Sequence, residues 1–150
     1  MLRSPVSAAR RGIVLALAPV IALLGLLVAP ALPVEAAFTC NYSFNENATA
    51  VVTWSGGTLG LAGMEFAGHY SGSTVIPSTT SVSAAGVEAQ CLLNRAGFNP
   101  GTIDGIFGPN SQAAARSFQS RVDSDWPGAL AVDGLPGPHT WPWLRHYAAG

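Results

Sequence analysis

The spacing of apolar residues divides the chain into three stretches. Residues 12–32 form an almost wholly apolar run without charge. Residues 38–80 mix aromatic, Gly, Ser, Thr, Ala and Asn positions with no sustained period. From residue 83 onward a helical period takes over. Ala85, Ala89, Leu92 and Ala96 mark one face of a helix expected over 83–96. Gly97 stands where a left-handed C-cap belongs, and Phe98 supplies the apolar residue that often follows it. Ala114, Phe118 and Val122 give a second stripe over 109–122. Trp141, Leu144 and Ala148 give a third over 140–148.

A short pattern precedes the second and third of these helices. Asp104-Gly105-Ile106-Phe107-Gly108-Pro109-Asn110-Ser111-Gln112 and Asp133-Gly134-Leu135-Pro136-Gly137-Pro138-His139-Thr140-Trp141 both fit D-G-x-x-G-P-x-[ST]-x. An internal repeat signals a repeated supersecondary unit. Asp-Gly is a turn dipeptide, because Asp bonds its own backbone and Gly accepts positive φ. The second Gly can cap a helix, and Pro is favoured at its first position. The predicted fold is therefore all-α: a small three-helix bundle with two D-G-x-x-G-P turn-helix units. A core of about 65 residues is marginal by itself.

The first stretch concerns export. Arg3, Arg10 and Arg11 make a basic start, the apolar run follows, and Val34-Glu35-Ala36 places small residues where a signal peptidase reads. Residues 1–36 are expected to be a signal peptide cleaved after Ala36 or Ala37. The run is long enough to span a bilayer if uncut. Pro19, Pro30 and Pro33 favour cleavage, leaving no stable membrane anchor. Arg10-Arg11 also permits a looser twin-arginine reading. The Ala/Gly/Arg-rich, Lys-free composition suggests a high-GC bacterial genome.

Residues 37–81 are expected to be an irregular or weakly β N-terminal extension. Within it, 50–54 suggests a short strand, Ser55-Gly56-Gly57 a turn, and 74–80 an extended lead into the first helix. Tyr42, Phe44, Trp54, Phe66 and Tyr70 are too many aromatics for a linker, so the arm should pack them on the bundle. The only cysteines, Cys40 and Cys91, read as a disulfide in an exported chain. The alternative is two unrelated thiols, one of them buried. A loop of about 50 residues would contribute about 4 kcal/mol on a disputed chain-entropy model.

Over residues 82–147 a resemblance joins these readings. Val87-Glu88-Ala89-Gln90-Cys91-Leu92-Leu93-Asn94, Gly97, the first D-G turn with Phe107 and Gly108, Ala114 to Phe118-Gln119, and Asp133, Gly134 and Gly137 with Thr140, Trp141 and Leu144 carry it. This pattern resembles the peptidoglycan-binding-domain-like family. The resemblance implies a small three-helix module, found alone or fused to secreted cell-wall hydrolases, that binds peptidoglycan. Pro136 replaces a usual aliphatic residue, Pro142 follows Trp141, and the 121–131 connection is long. The third helix is therefore expected to begin near Thr140 or to carry a strained first turn.

Charge and chemistry narrow the function further. Beyond residue 37 the bases are Arg95, Arg116, Arg121 and Arg145, outnumbered by Glu46, Glu65, Glu88, Asp104, Asp123, Asp125 and Asp133. That balance argues against nucleic acid and against electrostatic attachment to acidic membranes. His69, His139 and His146 form no metal-ligand spacing, so no metal or cofactor is expected. No nucleophile motif is legible, and Asp104 and Asp133 have a structural explanation as turn residues. The expected function is therefore binding, and the resemblance implies its ligand: a secreted, monomeric, non-catalytic wall protein contacting stem peptide or glycan near the D-G turns. Candidate contacts are Asn94, Arg95, Asn99, Asp104, Gly105, Asn110, Ser111, Gln112, Arg116 and Gln119, with a nearby aromatic against a sugar face. Alternatives are a targeting piece of a cell-wall hydrolase, or a protein-interaction module with an exposed patch of Trp126, Trp143 and Tyr147.

Overall fold

The computed structural model describes residues 37–150, and the expected signal peptide lies outside the described residues. Two strands precede three helices: β1 (Ser43–Trp54), β2 (Gly57–Phe66), α1 (Ala84–Arg95), α2 (Pro109–Asp125) and α3 (Thr140–Ala148). The strands form an antiparallel hairpin, running in register from Trp54↔Gly57 and closing at Ser43↔Phe66, with an irregularity between Asn45 and Thr49. Along β1 the half-buried or buried positions are Ala48, Ala50, Val52 and Trp54, while Thr49, Val51 and Thr53 face solvent. On β2, Leu59, Leu61 and Gly63 continue the inner face.

This hairpin corrects the all-α expectation. Within the arm Ser43–Phe66 is a regular hairpin flanked by irregular stretches, and the short strand expected over 50–54 is the end of a longer one. A two-stranded hairpin is marginal alone. Here Val52, Leu61 and Met64 enter one core with Ala89, Leu92, Leu93, Phe107, Phe118, Trp141, Trp143 and Leu144. The sheet thus covers helices that would otherwise expose their apolar faces.

The helix ends follow local chemistry. Ser83 caps α1 by accepting from the Gly86 N–H at 3.0 Å. At its other end Phe98 N–H bonds the Leu93 carbonyl at 2.9 Å and Gly97 N–H bonds that of Asn94 at 3.1 Å, a Schellman closure. Pro109 opens α2. Pro142 lies in the first turn of α3, where backbone N–H groups lack helical partners, so the helix starts at Thr140 without losing a bond. Residues 74–80 run over the helices: Val75 accepts from Trp141 Nε1 at 2.9 Å, and Ser78 accepts from Phe107 N–H at 2.8 Å.

Two long-range ties hold the hairpin's two ends to the helices. Cys40 and Cys91 form a disulfide with a Cα–Cα distance of 5.7 Å. One turn earlier on α1, Glu88 pairs with Arg145 of α3 at 3.1 Å, both side chains almost wholly buried. Glu88 also accepts from the backbone N–H groups of Ala67, His69 and Tyr70. Arg145 donates to the carbonyls of Tyr70 and Gly72 at 2.8 and 2.7 Å. Its guanidinium lies 4.4 Å from the Phe66 ring centre. Burial pulls its pKa below the ordinary arginine value, and the Glu88 charge opposes that shift.

Removing one partner of a buried pair strands the other charge. Glu88→Ala should lower the unfolding free energy by about 3–5 kcal/mol, read by urea denaturation. Arg121→Ala, which breaks the exposed pair with Asp125, should leave the midpoint almost unmoved. Reducing Cys40–Cys91 should cost about 4 kcal/mol, measured by calorimetry with and without reductant.

Candidate functional site

The repeated sequence pattern becomes a repeated hydrogen-bond latch. In the first copy Gln90 of α1 reaches the D-G turn. Its Nε2 donates to Asp104 Oδ1 at 2.9 Å, Ile106 carbonyl at 3.1 Å and Ser111 Oγ at 3.0 Å. Its Oε1 accepts from Gly105 N–H at 2.8 Å. In the second copy Gln119 of α2 does the same. Its Nε2 donates to Asp133 Oδ1 at 2.9 Å, Leu135 carbonyl at 3.3 Å and Thr140 Oγ1 at 3.3 Å. Its Oε1 accepts from Gly134 N–H at 2.8 Å. Each Asp also accepts from the backbone N–H two residues on, at 2.9 Å for Ile106 and 2.8 Å for Leu135. Gly105 and Gly134 sit at φ 79° and 81°, a conformation that a β-carbon would strain.

Because each glutamine amide is saturated, each turn is pinned to the helix before it and the helix after it. Backbone and side-chain polar groups beside the turn are thereby held in fixed positions, which favours ligand binding. Two adjoining depressions open at the first turn. One, of about 290 Å³, is lined by Pro100, Thr102, Asp104, Ile106, Pro109, Asn110 and Ser111 among others. The other, of about 600 Å³, is lined by Gly97, Phe98, Asn99, Gly101, Asn110, Ala113, Ala114 and Ser117. Asn110 belongs to both walls. A further groove of about 420 Å³ lies at the second turn, lined by Leu130, Ala131, Asp133, Leu135, Pro138 and His139 and bounded by Thr53, Trp54 and Ile76.

The candidate residues are placed differently. Asn99, Asp104, Asn110 and Ser111 meet at the depressions of the first turn. Asn99 Oδ1 accepts from Gly101 N–H at 2.9 Å, and Asn110 is exposed. Gly105, Ser111 and Gln119 are buried, and Ser111 Oγ donates to the Pro100 carbonyl at 3.2 Å. Gln112 Nε2 donates to the Phe107 carbonyl at 3.0 Å. Asn94, Arg95 and Arg116 line neither depression of the first turn. Arg95 stands 5.0 Å over the Tyr42 ring and 3.6 Å from Glu65. Burial raises the Tyr42 pKa above the ordinary tyrosine value. Arg116 is exposed and lies against Gly134 of the second turn.

Of the structural motif, Phe107, Phe118, Trp141 and Leu144 are fully buried in the core. Gln90 was not among the sequence-derived site residues, although a glutamine precedes each D-G aspartate by the same interval. Among the described residues no cluster of His, Cys, Asp and Glu could hold a metal ion. No described helix is long and apolar enough to cross a membrane.

Comparison with known proteins finds a family profile that matches this segment. The family profile described as "Putative peptidoglycan binding domain" matches residues 84–144. A search of curated proteins returned no match. Among solved structures, this chain is similar to a peptidoglycan-binding protein from Clostridioides difficile in complex with glutamine hydroxamate. The TM-score is 0.48 at 23% identity, over 71% of this chain and 58% of that one. This chain therefore aligns with less than two thirds of that protein's length. The matched segment, residues 84–144, runs from α1 into α3 and includes both latched turns.

Proposed function

We propose that this chain is a secreted, non-catalytic protein that binds cell-wall peptidoglycan through the surface around its D-G turns. The observation that carries the reading is the coincidence of the family match with the segment that builds both latches. On this reading residues 1–36 are the export signal, residues 37–81 an extension, and residues 82–148 the binding domain. The disulfide accords with an oxidising, extracytoplasmic location. The protein acts as a monomer, without a cofactor and without a membrane anchor once the signal is cleaved.

Contact is assigned to the first-turn depressions, with Asn99 and Asn110 as the exposed amides that bond stem peptide or glycan. Asp104, Gly105, Ser111 and Gln112 act by shaping that surface, Asn94 and Arg95 extend it, and Gln119 and Arg116 act at the second turn. Asn side chains suit such a polymer because each offers both a donor and an acceptor to amides and hydroxyls. The rival protein-interaction reading relied on an exposed patch of Trp126, Trp143 and Tyr147. Trp143 is only 2% exposed, so that patch reduces to Trp126 and the edge of Tyr147.

The test is co-sedimentation of the oxidised protein with insoluble peptidoglycan beside cellulose. Selective sedimentation with peptidoglycan is expected. Asn99→Ala with Asn110→Ala should weaken it about tenfold, the scale of one or two lost hydrogen bonds, while the melting temperature falls only slightly through loss of the exposed Asn99–Gly101 bond. A folded protein that stays in the supernatant contradicts the proposal.

A further inference from the structure

The two D-G turns carry equivalent grooves, but the hairpin has changed one of them. Pairing the repeat copies position by position, Asp104 matches Asp133, Ile106 matches Leu135, and Asn110 matches His139. The first member of each pair lines the smaller first-turn depression, and the second member lines the second-turn groove. The same holds for Thr102 and Ala131. The second groove is therefore the repeat counterpart of a surface already assigned to the wall polymer.

Its walls differ in a way that indicates an occupant. Ala131 removes the hydroxyl that Thr102 supplies, and the tip of the hairpin adds Thr53 and Trp54. Trp54 is half-buried and held by edge contacts to Trp126 and Trp143, with ring centres 6.0 and 6.2 Å away. An aromatic fixed in this way loses little freedom on binding. Asp133 is exposed at the groove, with Oδ1 engaged in the turn. No arginine lines the groove.

Arg116 packs against Gly134 but does not line the groove, so a peptide carboxylate there would face Asp133 with His139 as the one basic side chain in the lining. A pyranose ring fits better. Its hydroxyls can donate to a carboxylate, and its C–H face can lie on an indole. A concave, mostly apolar surface with a few placed polar groups is the usual form of a small-ligand site.

The geometry points to a second subsite, absent from the first turn, in which Trp54 and Asp133 hold a sugar ring of the peptidoglycan glycan strand. This inference rests on the wall-binding reading and specifies the ligand class of its second turn. The hairpin lies outside the family-matched segment, so the subsite belongs to this chain's extension acting together with its repeat. Two subsites on a repeating polymer would also raise the apparent affinity through effective concentration.

The test compares sedimentation isotherms on peptidoglycan for the oxidised wild type, Trp54→Ala and Ala131→Leu. The competitors are glycan strands stripped of peptide by an amidase, and free stem peptide. Ala131→Leu fills the groove from an exposed position and keeps the core, so it covers the case in which Trp54→Ala loosens the fold. Each variant should bind about tenfold more weakly, the loss expected of a well-packed anchor. Stripped glycan should displace the wild type more effectively than stem peptide does. If the wild type binds and Ala131→Leu binds equally well, the subsite is overturned while wall binding stands. Competition by stem peptide alone also overturns the sugar assignment. A wild type that does not sediment overturns wall binding and the subsite together.

Discussion

The buried pair of Glu88 and Arg145 organises this molecule. Taking both charges out of water is costly, and only good geometry with further hydrogen bonds offsets that cost. Here the further bonds come from the irregular segment that leaves the hairpin. Its N–H groups at Ala67, His69 and Tyr70 point to the carboxylate, and its carbonyls at Tyr70 and Gly72 receive the guanidinium. A stretch without strand or helix partners thus has its backbone satisfied by one ion pair. The same pair fixes α1 against α3, and the Cys40–Cys91 disulfide anchors the chain just before the hairpin to the same face of α1. The hairpin is held at both of its ends.

Local features were legible in the sequence, and long-range ones were not. The helices, the Schellman closure at Gly97 and the two D-G turns depend on neighbours within a few residues, so spacing and turn chemistry foretold them. The disulfide followed from parity and from the expectation of export. The hairpin escaped because its inner face is built partly of Ala48, Ala50 and Gly63, which carry little hydrophobic signal, while exposed Val51 blurs the alternation. Glu88 and Arg145 are 57 residues apart and resemble ordinary surface charges in sequence. Nothing local marks them as buried.

The site was legible in part. Asn99, Asp104, Asn110 and Ser111 do converge at the first turn. Gln90 could have been found by asking which residue recurs before each aspartate, since Gln119 holds the equivalent place. Trp54 could not have been found in that way. Its place beside the second turn depends on how the hairpin packs, which only the tertiary structure reveals. On the proposed reading, function on this fold follows from a division of labour. Buried glutamines hold the turns, the ion pair and disulfide hold the hairpin, and the exposed surface is left free to bind.

The most direct test of the account is an amide chemical-shift map of the isotope-labelled, oxidised protein titrated with muramidase-solubilised peptidoglycan fragments. The account predicts shifts concentrated at residues 97–110 and 128–139 and at Trp54, with the buried amides of Gly105 and Gly134 moving little because the latch stays closed. Shifts centred on the outer face of the hairpin, or no shifts at saturating fragment, would contradict it.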